Sequence, residues 1–132
     1  MDTKVLVVDD DMPIHFLLKN LLKDDFTVLN AHNVREAKEA LTEHQISLIL
    51  SDIHMPEITG LEFLESLRKQ ERYNQIPFLI MTNLPTVEKE QKAFDLGAED
   101  FIKKDLLINN KDKVLHIIRT KIETNSNFSS TD

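Results

Sequence analysis

The chain contains no cysteine. A disulfide framework and a thiolate metal site are therefore both excluded. No apolar run approaches the ~20 residues that a membrane-spanning helix requires. The first short apolar run, KVLVV, ends at once in Asp9, Asp10 and Asp11, so no signal peptide is expected either. Positive charge is in short supply. Lys and Arg number 16 against 23 Asp and Glu, and the formal net charge is -7. Unaided binding to DNA or RNA, which calls for a basic face, is not expected. There is no linker, no low-complexity segment and no sequence repeat. These absences suggest a cytoplasmic, soluble chain with neither membrane nor nucleic acid as a direct partner.

What remains is an ordinary globular composition, 41% apolar and 30% charged over 132 residues. A chain of this size fits one domain and buries roughly two thirds of its unfolded surface, enough for a core without staples. The domain is expected over 1–124, with a polar tail, NSNFSSTD (125–132), expected to fray.

The hydrophobic periodicity alternates between strand and helix. Buried strands are expected at 4–8, 46–51 and 77–82, with Pro77 tolerated at a strand's first residue. A further strand is expected at 26–31 and a short one at 99–103. Helices are expected at 12–23, 33–44, 61–70, 86–97 and 106–123. Pro13 suits the first turn of the first helix, and Asn33 suits the N-cap of the second. Gly97 falls where a left-handed C-terminal cap belongs. Repeated strand–helix units predict an α/β fold, a doubly wound parallel sheet of five strands. The order 2-1-3-4-5, flavodoxin-like, is the common one, with its ligand crevice at the carboxyl ends of strands 1 and 3.

Those strand ends carry the chemistry. Strand 1 runs into Asp9, Asp10 and Asp11, strand 3 into Asp52, strand 4 into Thr82, and strand 5 into Lys103 and Lys104. Singly, each has a plainer reading. Asp11 before Pro13 is a helix cap, Asp9 and Asp10 are cap or turn residues, Thr82 is a turn residue, and Lys104 is a solvated lysine. His15, His32, His44, His54 and His116 show no metal-ligand spacing and read as structural or exposed. Together, the strand ends form a set. Clustered carboxylates repel one another and recruit a hard cation, and Mg²⁺ suits an all-oxygen site. A carboxylate beside such a cation can act as a nucleophile toward a phosphoryl group. A hydroxyl and an ammonium can hold the remaining phosphoryl oxygens.

In order and spacing, KVLVVDDD, LILSDIHMPEITGLEFL, PFLIMTN and GAEDFIKKD resemble the receiver domain of bacterial response regulators of the chemotaxis-regulator type, over about residues 4–123. The resemblance implies roles for individual residues. Asp52 would be the phosphoacceptor. Asp9, Asp10 and Asp52, with the backbone carbonyl of His54, would hold Mg²⁺. Thr82 would be the switch hydroxyl, Lys104 the phosphoryl-pairing lysine, and Phe101 the aromatic that follows Thr82. It further implies a sensor histidine kinase or histidine phosphotransfer protein as phosphodonor. A downstream protein would dock on the face of the fourth helix, fifth strand and fifth helix. With no length left for an output domain, a stand-alone regulator is expected.

Four positions depart from the family's habit: Asp105 replaces the usual proline after the lysine, Asn83 replaces a small residue, His54 is uncommon, and Phe101 lacks a tyrosine's hydroxyl. His54, Asn83 and Leu84 flank the site and are expected to set the lifetime of the phosphorylated state. Two alternatives stand beside this reading. Asp9-x-Asp11 is similar to the nucleophile motif of haloacid-dehalogenase-type phosphatases, although Met12 and Pro13 do not continue it. A receiver fold that binds a partner without phosphorylation is the other.

Overall fold

The computed structural model describes residues 2–130, with side chains to Asn125. Five strands form one parallel sheet in the order β2-β1-β3-β4-β5: β1 (Lys4–Val8), β2 (Thr27–Ala31), β3 (Leu48–Ser51), β4 (Phe78–Thr82) and β5 (Asp100–Lys103). This is the expected topology. The register aligns Val8 with Ala31 on one side and Ser51 on the other, and Thr82 with Lys103. The carboxyl ends of β1, β3, β4 and β5 therefore share one rim.

The three central strands, β1, β3 and β4, are buried on both faces, and successive side chains alternate between two cores. Leu6, Val8, Ile49, Phe78 and Ile80 face one core. There they meet α2 (Val34–Glu43), α3 (Gly60–Arg68) and α4 (Val87–Asp95) through Val34, Phe63, Leu64 and Ala93. Val5, Val7, Leu48, Leu50, Leu79 and Met81 face the other. Here α1 (Met12–Leu22) brings Leu18 and Leu22, and α6 (Lys111–Ser130) brings Val114 and Ile118. Phe63 and Phe78 pack edge to face at 5.7 Å between ring centroids.

Local signals account for most helix ends. Asn33 caps α2, its side chain accepting from the Glu36 N–H at 2.8 Å. Thr59 and Glu62 form a reciprocal capping box at the start of α3. Gly97 takes φ +103° just past α4, as a left-handed cap requires.

Two expectations change, at the last helix and at Asp11. The helix expected over 106–123 is broken in two, with α5 (Leu106–Asn109) preceding α6. Asn110 leaves helical geometry at φ -155°, ψ 62°, closes α5 through its N–H, and accepts from the Lys113 N–H with its side chain. Asparagine competes well for backbone groups at such junctions, and an apolar-periodicity count does not register it. Asp11 occupies the N-cap position of α1 but makes no side-chain cap bond. The backbone of α6 continues through Ser130, inside the expected tail, and residues 131–132 lie outside the described ones.

Candidate phosphoryl-acceptor site

The rim is assembled by backbone register. Asp9 and Asp52 each lie one residue beyond the ends of neighbouring strands. The Asp9 N–H donates to the Ala31 carbonyl at 3.0 Å, and the Asp52 N–H donates to the Val8 carbonyl at 2.9 Å. On β5's side, the Lys104 N–H donates to the Thr82 carbonyl at 2.9 Å. Hydrogen bonds that end the ladder thus bring together residues far apart in sequence.

Lys104 is 4% exposed, so the solvated reading fails. Its ammonium lies 2.7 Å from Oδ2 of Asp9 and 3.2 Å from Oδ2 of Asp52. Asp9 and Asp52 are themselves buried, while Asp10 is exposed at the mouth. Oδ1 of Asp9 accepts the Asp11 N–H at 2.9 Å, and Oδ1 of Asp52 accepts the Ile53 N–H at 2.8 Å. Burial pushes the Asp9 carboxyl above its ordinary range, and the Asp52 charge adds to this; the bonds from Lys104 and Asp11 oppose it without cancelling it. For Lys104, burial disfavours the ammonium. The Asp9 hydrogen bond and the Asp52 and Asp9 charges outweigh that and raise it above an ordinary lysine.

Asp9, Asp10 and Asp52 offer carboxylate oxygens that all lie within 4.8 Å of one another. One ammonium cannot balance three carboxylates. An anionic donor set made of oxygen alone suits Mg²⁺, which commonly takes one or two carboxylates together with waters and a phosphate oxygen.

Thr82 stands 1% exposed at the end of β4, next to β3. Among the described residues, its Oγ1 is the buried side-chain polar atom with no hydrogen-bond partner. A buried hydroxyl without a partner is costly, so its retention calls for a reason. Phe101 is partly buried against the core that holds Phe63 and Ile80. His54 turns its side chain outward, where the Lys89 ammonium on α4 donates to its Nε2 at 2.8 Å. The Lys104–Asp105 peptide is trans, as are all the described peptide bonds.

One buried residue of the site was read from the sequence as structural or exposed. His15, 4% exposed on α1, places Nε2 2.7 Å from the Asp9 carbonyl and Nδ1 2.8 Å from Oδ1 of Asn30. The sequence did carry a sign of this. His15, Leu18 and Leu22 follow helical spacing on the face that α1 buries.

A parallel sheet that gathers acids, a threonine and a lysine at its carboxyl rim defines a class, and the comparisons place the chain in it. The response regulator receiver domain family matches residues 5–119, and the chain belongs to that family. It is a receiver domain of two-component response regulators. The two-component response regulator ORR13 of Oryza sativa subsp. japonica is 34% identical over 116 residues, covering 86% of this chain and 96% of that protein. Histidine kinase P4 of Formosa agariphila is 27% identical over 127 residues, covering 96% of this chain but only 9% of the kinase. Among solved structures, the chemotaxis protein CheY4 of Vibrio cholerae aligns with TM-score 0.82 at 30% identity, over 91% of this chain and 98% of that one. A CheY-like receiver domain from Methanospirillum hungatei aligns with TM-score 0.86 at 24% identity, over 96% and 98%, and supports the fold alone. Receiver domains of this family typically bind Mg²⁺ through acidic residues, which agrees with the cluster of Asp9, Asp10 and Asp52. Among the described residues, no helix is long and apolar enough to cross a membrane.

Proposed function

We propose that this chain is a phosphorylation switch whose acceptor is Asp52. A sensor histidine kinase or a histidine phosphotransfer protein in the cytoplasm would supply the phosphoryl group. In the transfer, an Asp52 carboxylate oxygen forms an O–P bond as the donor's N–P bond breaks, and the donor nitrogen keeps the electron pair. Asp9, Asp10 and Asp52, with the His54 backbone carbonyl, would hold Mg²⁺, which when bound supplies positive charge against the incoming phosphoryl oxygens.

The chain's own residues do the rest. Lys104 is already held at the Asp52 carboxylate, and it would pair with a phosphoryl oxygen once that carboxylate is phosphorylated. Thr82 would donate its unpartnered hydroxyl to another phosphoryl oxygen. Phe101, on the strand beside Thr82, would follow that movement and alter the surface of α4, β5 and α6. That surface would be read by a downstream protein. Phosphate-dependent hydrogen bonds that bias a two-state element are a general switching device. His54, Asn83 and Leu84 would set how long the phosphorylated state lasts.

The observation that carries this reading is the charge arrangement. Three carboxylates cluster at the rim, two of them paired with one buried ammonium, and an unpartnered hydroxyl stands on the next strand end. To test it, the protein is incubated with acetyl phosphate and Mg²⁺ and its intact mass is measured. Addition of one phosphoryl group is expected, lost in Asp52→Asn and lost when Mg²⁺ is chelated. Phosphoryl addition that persists in Asp52→Asn would rule out Asp52 as the acceptor. No addition at all, together with steady turnover of the donor, would favour an enzyme.

A further inference from the structure

The β1–β2 ladder makes its last bond at Asp9, whose N–H reaches the Ala31 carbonyl. Beyond this the chain leaves the sheet. The His32 N–H turns to Oε1 of Glu36 at 2.8 Å, and Asn33 caps α2. The Asp9 carbonyl is met instead from the helix side, by Nε2 of His15. A carbonyl can only accept, so Nε2 carries the proton. On the other side of the ring, Nδ1 lies 2.8 Å from Oδ1 of Asn30. The ring of His32 packs against His15 at 4.9 Å between centroids. His15 is thus held at both nitrogens, with the His32 ring tilted against it.

The carbonyl that His15 holds belongs to the peptide plane joining Asp9 to Asp10. Setting that plane sets how the two carboxylates stand relative to each other, although His15 touches neither. We infer that His15 is a positioning residue for the cation site, its Nε2–H fixing the Asp9–Asp10 peptide. The inference rests on the proposed Mg²⁺ role of those two acids. Groups one step behind metal ligands commonly matter about 10- to 100-fold in metal affinity.

The test is calorimetric titration of the full chain with MgCl₂, beside thermal melts in chelator that report folding separately. His15→Leu removes the donor and keeps the volume. It is expected to weaken Mg²⁺ binding by about tenfold or more, while His15→Gln, which restores an N–H donor, stays within about threefold of the wild type. A His15→Leu protein that binds Mg²⁺ like the wild type overturns the inference. So do equal losses in the Leu and Gln variants, because the ring's packing rather than its donor would then be responsible. Should His15→Leu fail to fold, Asn30→Ala loosens the ring from its far nitrogen without opening the core. A severalfold weaker affinity is then expected, and an unchanged one overturns the inference. If the wild type itself takes up no Mg²⁺, the cation site falls and the positioning role with it. A wild type that binds normally beside indifferent variants refutes the positioning role alone.

Discussion

Thr82 and Lys104 show how a site is built at the cost of stability. Lys104 is a buried cation whose removal would leave Asp9 and Asp52 uncompensated, and breaking a buried pair in this way typically costs about 3–5 kcal/mol. Thr82 hides a hydroxyl with no partner. Replacing it by the near-isosteric valine removes an unpaired polar group and keeps a β-branched residue in the strand. Thr82→Val is therefore expected to stabilise the unmodified protein by about 1 kcal/mol, read by urea denaturation in chelator. The same variant is expected still to accept a phosphoryl group at Asp52 while losing the change at Phe101, followed by NMR of the ring. Destabilisation by Thr82→Val would mean that the hydroxyl has a partner in solution. At this scale the acids, Thr82 and Lys104 were legible in the sequence because strand ends are legible. The burial of Lys104 was not, since an isolated lysine gives no hint that two carboxylates await it.

Among the elements, the loop from β3 to α3 is under the tightest steric control. A Cβ added at Gly60 would lie 2.0 Å from the Asp52 carbonyl oxygen, which is backbone and cannot swing aside. The Gly60 N–H also closes the loop by donating to the Ile53 carbonyl at 2.8 Å. Gly60→Ala is therefore expected to displace the Asp52 backbone. A stability loss of about 3 kcal/mol or more, beyond ordinary overpacking, should appear in denaturation, and Mg²⁺-dependent phosphorylation should fall with it. Normal phosphorylation in a destabilised Gly60→Ala protein would separate the turn from the site. Glu57 in the same loop adopts φ 70°, a left-handed geometry that a side chain rarely takes. Apart from the last helix, element boundaries came within one or two residues of expectation because caps and apolar spacing are local. The α5–α6 break escaped because the competition of Asn110 for backbone groups leaves no mark on an apolar count.

For the molecule as a whole, one sheet serves two cores. Phe63 is fully buried on the α3 side and Leu18 on the α1 side, with the strands between them. Because every strand contributes to both layers, neither layer can melt alone. Phe63→Ala is expected to cost about 3–5 kcal/mol and Leu18→Ala about 2–5 kcal/mol, each lowering a single cooperative unfolding transition seen equally by circular dichroism and by NMR. Two separated transitions in either variant would show that the layers fold as distinct units. Arg68 adds to the coupling. Its guanidinium donates to the carbonyls of Asn74, Ile76 and Gly97, tying the end of α3 to the approach to β4 and to the cap of α4. Burial lowers its pKa, the cost of placing a charge among backbone groups.

By itself, the sequence determined the alternation of strand and helix, the parallel doubly wound class that follows from it, and the types of group at each strand end. These rest on periodicity and on right-handed crossovers, which act over short stretches of chain. Only the tertiary structure decided which of those groups are buried and which touch. That Lys104 bridges Asp9 and Asp52, that Thr82 is left without a partner, and that His15 reaches the Asp9 carbonyl all depend on the register of parallel strands and on how α1 lies against β1 and β2. The energies that settle such contacts, desolvation against pairing, exist only once distant segments have excluded water together.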